Sequence, residues 1–303
     1  ELTAPLQPQT RINMGEFLSN FSREDYMAAV ERIRDYIRRG DTYQTNLTQQ
    51  LRTRLPEGVT PEQVFLSLRK DHPAPFAAFL KRKTSAVVSA SPERFFCVKS
   101  DGTIEASPIK GTRRRGDSPG EDAQLRAELV ASEKDRAENT MIVDLVRNDL
   151  GRVCEFGSVA VEKLCEVEEH RTLFHLVSTV SGKLRPGTAF SEILRATFPC
   201  GSITGAPKIR TMQIIEEIET ERRGLSMGAI GVYIPPDWDF GSVAFDAVYD
   251  LSVAIRTMVI RDGVATFNVG GGIVIDSVPA DEYAESLLKA VALLASLGKT
   301  TPT

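Results

Sequence analysis

Cysteine and histidine are scarce in this chain, which has four Cys and three His among 303 residues. The four cysteines contain no CxxC pair, so we predict reduced thiols in a cytoplasmic protein rather than a disulfide framework or a zinc site. Because so few histidines are available, any bound metal is expected to be a hard cation held by oxygen atoms. The cysteines are Cys97, Cys154, Cys165 and Cys200.

The motifs of several common enzyme classes are also missing. The sequence contains no GxSxG, HExxH, GxxxxGK[ST] or GxGxxG, which removes the usual hydrolase, zinc-protease and nucleotide-binding signatures. No apolar run approaches the length of a membrane span. The net charge of −4 gives no basic field that would attract a phosphate backbone. We therefore expect a protein that acts on a small molecule and binds neither nucleic acid nor membrane.

The hydrophobic pattern alternates between helical and strand periods. Helices are predicted to start at Ser22 and at Thr60-Pro61. Longer helices are predicted over 206–223 and 280–297. In the helix over 206–223, Met212, Ile215 and Ile218 are predicted to share the buried face. Residues 249–260 are predicted to form one strand, followed by a hairpin at Asp262-Gly263. Hairpin-joined strands separated by long helices predict an α+β fold with mainly antiparallel sheets.

The predicted domain organisation is simple. Residues 1–20 are rich in proline and polar residues and are predicted to be a linker or the remnant of an N-terminal region. No linker divides residues 21–298, so one large catalytic domain is favoured over two, and residues 299–303 are predicted to be a tail.

Two pairs of carboxylates have helical spacing. Asp135 and Glu138 are three residues apart, as are Glu282 and Glu285, so each pair lies on one face of its helix. Such pairs are usually solvated surface residues. If the two faces oppose each other, they would form an acidic pocket able to hold Mg²⁺. Lys289, four residues beyond Glu285, would share that face.

Two glycine-containing turns are candidates for anion binding. Residues 201–208, GSITGAPK, lead into a helix N-terminus, and residues 268–274, NVGGGIV, would let the backbone approach a ligand closely. Either turn could instead simply bend the chain. Arg256, near the end of a predicted strand, is a candidate carboxylate ligand or a capped edge residue.

The segment SPIKGTRRRG is the most unusual part of the sequence. Arg113, Arg114 and Arg115 are predicted to form a solvated basic loop. Lys110 is either a surface charge or, in an enclosed site, a neutral amine able to act as a nucleophile.

Seven motifs together resemble the chorismate-utilising enzymes, which include anthranilate synthase component I, aminodeoxychorismate synthase component I, and the isochorismate and salicylate synthases. The resemblance extends from about Phe21 to Leu297. It implies a large sandwich of two mainly antiparallel sheets with flanking helices, which binds chorismate and Mg²⁺ at one site. The motifs, in chain order, are SPERF, PIKGTRRRG, KDRAENTMIVDLVRNDLGRV, HLVSTVSGKL, FPCGSITGAPKIRTMQIIEEIE, AIRT and GGGIVIDS.

The resemblance also implies a role for each candidate residue. The metal ligands are Glu138 and Glu285, assisted by Asp135 and Glu282. The general acid is Glu93, and His175 lies beside the substrate ring. The family's tyrosine position is occupied here by Val232, and Tyr233 is the next residue. The expected substrate-binding residues are Gln44, Thr204, Arg256, Gly270, Gly271, Gly272, Lys289 and Tyr233.

Two positions separate the branches of this family. Branches that add water to chorismate have a lysine base where this chain has Gln44, and glutamine cannot deprotonate water, so ammonia is the implied nucleophile. Anthranilate synthases have alanine where this chain has Lys110. The resemblance therefore implies an aminodeoxychorismate synthase, which serves p-aminobenzoate and folate synthesis. The alternatives are an anthranilate synthase component I and a non-catalytic chorismate-binding scaffold.

The resemblance implies a partner as well. The chain has no glutaminase signature, so ammonia is expected from a separate glutamine amidotransferase subunit.

The hairpin over 232–250 is longer than is usual in the family. Most of the family's N-terminal region, which carries the tryptophan pocket in anthranilate synthase, is absent from this sequence, so regulation by tryptophan is not expected.

Overall fold

A computed structural model of the protein describes residues 17–170, 173–235 and 246–298. The predicted tail and most of the predicted linker lie outside the described residues, as does the tip of the long hairpin. None of the described helices combines the length and apolarity needed to span a bilayer. The helices are α1 (Arg23–Arg38), α2 (Pro61–Asp71), α3 (Pro119–Ala131), α4 (Glu133–Gly151), α5 (Phe190–Thr197), α6 (Lys208–Ile218) and α7 (Pro279–Ser296).

The strands form two sheets in which the neighbouring strands run antiparallel, which confirms the predicted α+β class. The strands are β1 (Leu18–Ser19), β2 (Gln44–Arg54), β3 (Phe76–Lys81), β4 (Ala86–Ser91), β5 (Arg94–Lys99), β6 (Thr103–Ala106), β7 (Ile109–Arg114), β8 (Ala160–Glu169), β9 (Leu173–Lys183), β10 (Gly205–Ala206), β11 (Ala229–Tyr233), β12 (Ala247–Val253), β13 (Thr257–Arg261) and β14 (Val264–Ile273).

The chain divides into two compact units. The first unit contains the described residues up to Pro92, Arg210–Gly228, and the described residues from Ala254 onward. Its sheet has the order β1-β2-β14-β13-β4-β3. Helices α2 and α7 bury their apolar residues against this sheet, in a core that includes Leu51, Phe267 and Leu293. A second apolar cluster joins α1 to β2 and α6.

The second unit contains Glu93–Ile209 and Ala229–Val253. Its sheet has the order β11-β12-β5-β6-β9-β7, and β8 also pairs with β9. A small buried cluster packs Leu129 of α3 against Phe174 and Leu176 of β9. The long strand β9 therefore supports β6, β7 and β8, and β7 carries Lys110.

The predicted local signals at helix starts and at the hairpin are confirmed. The Ser22 hydroxyl accepts a hydrogen bond from the Asp25 backbone N–H at 3.0 Å, so Ser22 caps α1. Thr60 and Gln63 form a capping box at the start of α2. Asp262 and Gly263 both have positive φ, and Arg261 pairs with Val264, as a tight hairpin turn requires.

The prediction for the buried face of α6 is confirmed for Ile218 and wrong for Met212. The residues buried on this helix are Thr211, Ile214 and Ile218, whereas the Met212 side chain is 42% exposed. The polar Thr211 takes a core position because its hydroxyl bonds the hydroxyl of Thr42 at 3.0 Å. A hydrophobicity pattern cannot identify a buried threonine that is satisfied by a distant partner.

Helix α6 also ends earlier than predicted, at Ile218. The residues that follow bond strand β2 instead of extending the helix. Glu219 accepts a hydrogen bond from the Thr48 backbone N–H at 2.8 Å, and the Arg223 guanidinium donates to the Asn46 carbonyl at 2.6 Å. These bonds satisfy backbone groups of β2, so they favour leaving the helix at this point.

The prediction of one strand over 249–260 is also wrong. Strand β12 ends at Val253 and pairs with β5, whereas β13 starts at Thr257 and pairs with β4. Between them, Arg256 has a φ of +47°, a left-handed conformation that interrupts an extended strand. The chain passes from the second unit to the first at Val253 and Ala254.

The basic segment over 113–115 is not a solvated loop. Arg113 and Arg114 belong to strand β7, and each of the three arginines pairs with a carboxylate. Arg113 binds Asp135 at 3.0 Å, Arg115 binds Asp122 at 2.6 Å, and Arg114 pairs with Glu121. The ion pairs attach α3 and α4 to β7, the strand that carries Lys110.

Candidate active site

Glu93 lies in the second unit, directly before β5, and its side chain is only 5% exposed. Burial raises the pKa of its carboxyl above the ordinary range, because a buried carboxylate loses its hydration. A hydrogen bond from Ser202, the positive charge of Lys110 and the backbone N–H of Ile109 act in the opposite direction. A buried carboxyl of this kind retains its proton to higher pH than a free glutamate, as a general acid requires.

Lys110 occupies a bulge in β7. Ile109 pairs with Val177 and Thr112 pairs with His175, so two residues of β7 face the single Leu176 of β9 between these pairs. Gly111, the second bulge residue, has a φ of +86°. A Cβ atom on Gly111 would lie 2.9 Å from side-chain atoms of Asp135. The bulge therefore requires glycine next to Lys110.

The predicted pair Asp135 and Glu138 lies at the start of α4. The backbone N–H of Asp135 donates to the Ser132 hydroxyl at 3.3 Å, which caps the helix. The Asp135 carboxylate binds Arg113 of β7 at 3.0 Å. Glu138 is half-buried one helical turn further along. Asp135 is thus fixed by an arginine of the strand that carries Lys110.

Thr204 and His175 are both buried in the second unit. The Thr204 hydroxyl donates to the carbonyl of Cys200 at 2.9 Å, in a turn that begins with the short 3₁₀ helix Gly201–Ile203. His175 pairs across the sheet with Thr112 of β7. At the end of the turn, Lys208 binds the buried Asp149 carboxylate at 2.5 Å and the Thr197 carbonyl at 2.8 Å. Lys208 therefore anchors the GSITGAPK segment within this unit.

The three consecutive glycines of β14 lie in the first unit and permit close approach. A Cβ atom on Gly270 would lie 1.8 Å from the carbonyl oxygen of Leu47, and one on Gly272 would lie 2.6 Å from the amide nitrogen of Gln44. Gln44 is fully buried, and neither polar atom of its side-chain amide has a hydrogen-bond partner among the described residues. A buried amide with unused hydrogen-bonding capacity suits a ligand-binding position.

Gly271 lies beside three charged residues of α7 in the same unit. A Cβ atom on Gly271 would lie 3.2 Å from Glu282 and 3.5 Å from both Glu285 and Lys289. Lys289 binds Glu285 at 2.7 Å and donates to the carbonyl of Gly270 at 3.0 Å. Glu282 is buried and accepts a hydrogen bond from Ser277 at 2.6 Å. The predicted group Gly271, Glu282, Glu285 and Lys289 is therefore assembled within one unit.

Arg256 is half-buried in the first unit, and burial lowers the pKa of its guanidinium. Within the described part of the chain it forms no ion pair with a carboxylate. A partly desolvated guanidinium of this kind favours the binding of an external carboxylate.

Tyr233 occupies the last position of β11 and is 57% exposed. Its ring lies 5.0 Å from that of Tyr249 on β12, which in turn stacks on Phe190 at 4.5 Å. The Tyr233 ring therefore packs against the neighbouring aromatic ring of its hairpin. Its contact with substrate stays a prediction.

The comparisons with known proteins identify the family. A family model described as chorismate binding enzyme matches residues 2–295. The chain belongs to this family. Within the family, it is 47% identical over 272 residues to an aminodeoxychorismate synthase of Streptomyces pristinaespiralis, and 41% identical over 292 residues to aminodeoxychorismate synthase component 1 of Bacillus subtilis strain 168.

These matches cover most of the chain but only part of each relative. They include 90% and 96% of the chain, against 36% of the Streptomyces protein and 59% of the Bacillus protein. Among solved structures, anthranilate synthase component I from Streptococcus pneumoniae TIGR4 matches with a TM-score of 0.80 and 36% identity. That match covers 93% of the chain and 60% of the solved structure, so the fold is that of chorismate-binding enzymes.

The donor chemistry of this chorismate-binding chain fits Mg²⁺. Glu282 and Glu285 both lie beside Gly271, and Mg²⁺ in enzymes is commonly held by one or two carboxylates together with water and substrate oxygens. In the described ranges, no three His, Cys, Asp or Glu side chains are grouped closely enough to hold a metal ion. The magnesium site over Asp135, Glu138, Glu282 and Glu285 thus stays a prediction.

The structure adds two residues that were not among the predicted site residues, Ser202 and Cys200. Ser202 contacts the Glu93 carboxyl, and the Cys200 thiol lies 3.3 Å from the Ser202 hydroxyl. Both belong to the FPCGSITGAPK motif, but no pattern in the sequence shows that this turn packs against Glu93. All four cysteines of the family member are free and buried.

Proposed function

We propose that the chain is the synthase component of an aminodeoxychorismate synthase, which converts chorismate and ammonia to 4-amino-4-deoxychorismate. The single observation that carries this proposal is the placement of Lys110 close to the buried Glu93 carboxyl. The identity of 41–47% to proteins named aminodeoxychorismate synthase supports the proposal. An anthranilate synthase component I is the second candidate, because proteins of that name are 41% and 43% identical over 92% and 95% of the chain.

Lys110 and Glu93 would divide the chemistry between nucleophile and acid. Lys110 reacts in its neutral form, after its ammonium group has released a proton to solvent. Its amine nitrogen then forms a bond to C2 of chorismate as the ring double bonds shift and the C4–O bond breaks, and Glu93 transfers its proton to the departing hydroxyl, which leaves as water. Ammonia then bonds to C4, and the C2–N bond to Lys110 breaks with its electron pair returning to the lysine. The proton lost by the new ammonium group returns to the Glu93 carboxylate, so both residues are restored.

The remaining candidate residues would bind and orient chorismate. Arg256 and Thr204 would bind its carboxylates, together with Lys289 and the backbone of the three glycines. Mg²⁺, held by Glu138 and Glu285 with Asp135 and Glu282 in support, would supply electrostatic polarisation of a substrate carboxylate. Gln44 cannot act as a base toward water, which favours ammonia as the nucleophile.

A glutamine amidotransferase subunit is the proposed source of ammonia, and the cytoplasm the proposed compartment. The Bacillus relative carries the designation component 1, which supports a second component. The product would serve the synthesis of p-aminobenzoate and folate.

The experiment that tests this proposal incubates the chain with chorismate, an ammonium salt and Mg²⁺, and identifies the product by chromatography and mass spectrometry. Release of 4-amino-4-deoxychorismate is the expected result. Release of anthranilate would favour the second candidate. Binding of chorismate without turnover would instead indicate a non-catalytic scaffold.

Replacing Glu285 by glutamine is expected to raise the Mg²⁺ concentration that turnover requires. The substitution removes one charged oxygen ligand, so the Mg²⁺ concentration needed for half-maximal activity should rise roughly tenfold or more. It is measured by titrating metal into the chelator-treated protein. Asp281→Asn, an exposed substitution on the same helix, is the matched control. An unchanged magnesium requirement in Glu285→Gln would remove Glu285 from the metal site.

A further inference from the structure

Glu93 lies at the end of a short series of buried polar side chains within the second unit. The Ser202 hydroxyl lies beside the Glu93 carboxyl and acts to lower its pKa, and the Cys200 thiol lies 3.3 Å from the Ser202 oxygen. All three side chains are buried. Cys200 and Ser202 flank the first residue of the Gly201–Ile203 helix, so one rigid turn presents both groups to Glu93.

The protonation of Cys200 permits an arrangement in which its thiol donates to Ser202. Burial, reinforced by the nearby Glu93 charge, raises the pKa of the Cys200 thiol to about 12. The thiol therefore retains its hydrogen at neutral pH and can donate it to the Ser202 oxygen. The Ser202 hydroxyl is then free to donate its own hydrogen to Glu93. Donation toward the carboxyl stabilises its ionised form more than its protonated form.

The other groups near the Glu93 carboxyl come from β7. The backbone N–H of Ile109 also donates to the carboxyl, and Lys110 contributes a positive charge. Lys110 is the proposed nucleophile, so it cannot be removed without losing the reaction. Ser202 is the side chain next to Glu93 that the proposed chemistry leaves without a role.

We propose that Ser202 is a positioning residue for proton transfer by Glu93, supported in this by Cys200. Its hydroxyl orients the carboxyl and stabilises the carboxylate that remains after the proton has moved to the leaving hydroxyl. This inference rests on the proposed function, because it assigns Ser202 a part in the C4–O cleavage step.

Removing the hydroxyl has two expected effects on turnover. The carboxylate formed in the transition state loses a charge-assisted hydrogen bond, so kcat should fall about tenfold or more, with little change in KM. The protonated form of Glu93 becomes relatively more stable, so Glu93 stays protonated to higher pH. The alkaline limb of the kcat profile, which reports loss of the acid proton, should therefore move to higher pH.

The test compares Ser202→Ala with Ser202→Thr, which keeps a hydroxyl, and with Cys200→Ala. Ser202→Ala should show both effects, Ser202→Thr should restore the wild-type pH profile, and Cys200→Ala should give a smaller displacement in the same direction. Ser296→Ala is the matched control, since Ser296 is a buried serine whose hydroxyl bonds the carbonyl of Leu293. If Ser202→Ala does not fold, Ser202→Cys, which retains a weaker donor of similar size, takes its place.

A second measurement follows the protonation of the Glu93 carboxyl in the absence of substrate. Infrared difference spectra recorded against pH follow the C=O band of the protonated Glu93 carboxyl, which is identified by its disappearance in Glu93→Gln. The midpoint of this band should lie at higher pH in Ser202→Ala than in wild type. An unchanged midpoint and an unchanged alkaline limb would overturn the inference. Failure of the wild type to convert chorismate would refute the proposed function, whereas the infrared midpoint would still test the Ser202–Glu93 interaction.

Discussion

Lys110→Ala is expected to redirect the amination of chorismate from C4 to C2. Without the lysine amine, C2 is open to direct attack by ammonia, and Glu93 can still protonate the departing C4 hydroxyl. Amination at C4 should fall roughly a thousandfold or more, the scale seen when a catalytic nucleophile is removed. The C2-aminated product, on the route to anthranilate, should replace 4-amino-4-deoxychorismate. The measurement is product identity and rate, by chromatography and mass spectrometry.

Lys99→Ala provides the control for loss of a lysine. Lys99 belongs to β5 of the same sheet and pairs with Glu105 at 2.7 Å, so its removal should leave the product unchanged. Persistence of C4 amination at the wild-type rate in Lys110→Ala would rule out the covalent role of Lys110. Loss of both products would show instead that Lys110 acts in binding or in folding.

The surroundings of Lys110 show what the sequence could not predict. The motif identifies the lysine, but the charge run that follows it is typical of a solvated loop. The carboxylate partners of Arg113, Arg114 and Arg115 lie in the helices α3 and α4, and no local pattern links them to β7. Residues that were predicted to form a loop belong to strand β7 of the second unit's sheet, and their arginines form ion pairs with residues distant in sequence.

The split strand over 249–260 has a similar cause. The first half alternates between apolar and polar residues and the second half ends in a continuous apolar run, and because either pattern suits a strand, the local sequence shows no break. The change of partner from β5 to β4 and the positive φ of Arg256 are properties of the sheets rather than of the local sequence. Local signals that involve only near neighbours, such as the Ser22 cap and the Asp262-Gly263 turn, were predicted correctly because their physics is local.

The candidate site also contains residues that local sequence patterns identify and contacts that they do not. The SPERF motif contains Glu93, whereas Glu282, Glu285 and Lys289 are identified by a helical spacing that places them on one face of α7. The contact between Ser202 and Glu93 depends on how the turn after α5 packs against the start of β5, which no periodicity reveals. A sequence pattern therefore does not identify a side chain, such as that of Ser202, that acts through a contact with a distant residue.

Gly270→Ala is expected to destabilise the first unit severely. The added Cβ would lie 1.8 Å from the Leu47 carbonyl oxygen and 2.8 Å from the Cα of Thr48, which is shorter than any real contact. Both atoms belong to the backbone of β2, so no side chain can move aside, and β14 must separate from β2 near the Gly270–Thr48 pair. Lost ladder hydrogen bonds and overpacking together should lower the free energy of unfolding by about 3 kcal/mol or more.

Gly271→Ala is the matched control on the same strand. Its added Cβ would meet the ends of the Glu282, Glu285 and Lys289 side chains at 3.2–3.5 Å, and flexible side-chain ends can move by the few tenths of an ångström required. The expected loss of stability is therefore below about 1 kcal/mol. Urea unfolding followed by circular dichroism measures both variants. Similar midpoints for the two would contradict the argument, because the difference rests on backbone atoms opposing Gly270 and mobile side chains opposing Gly271.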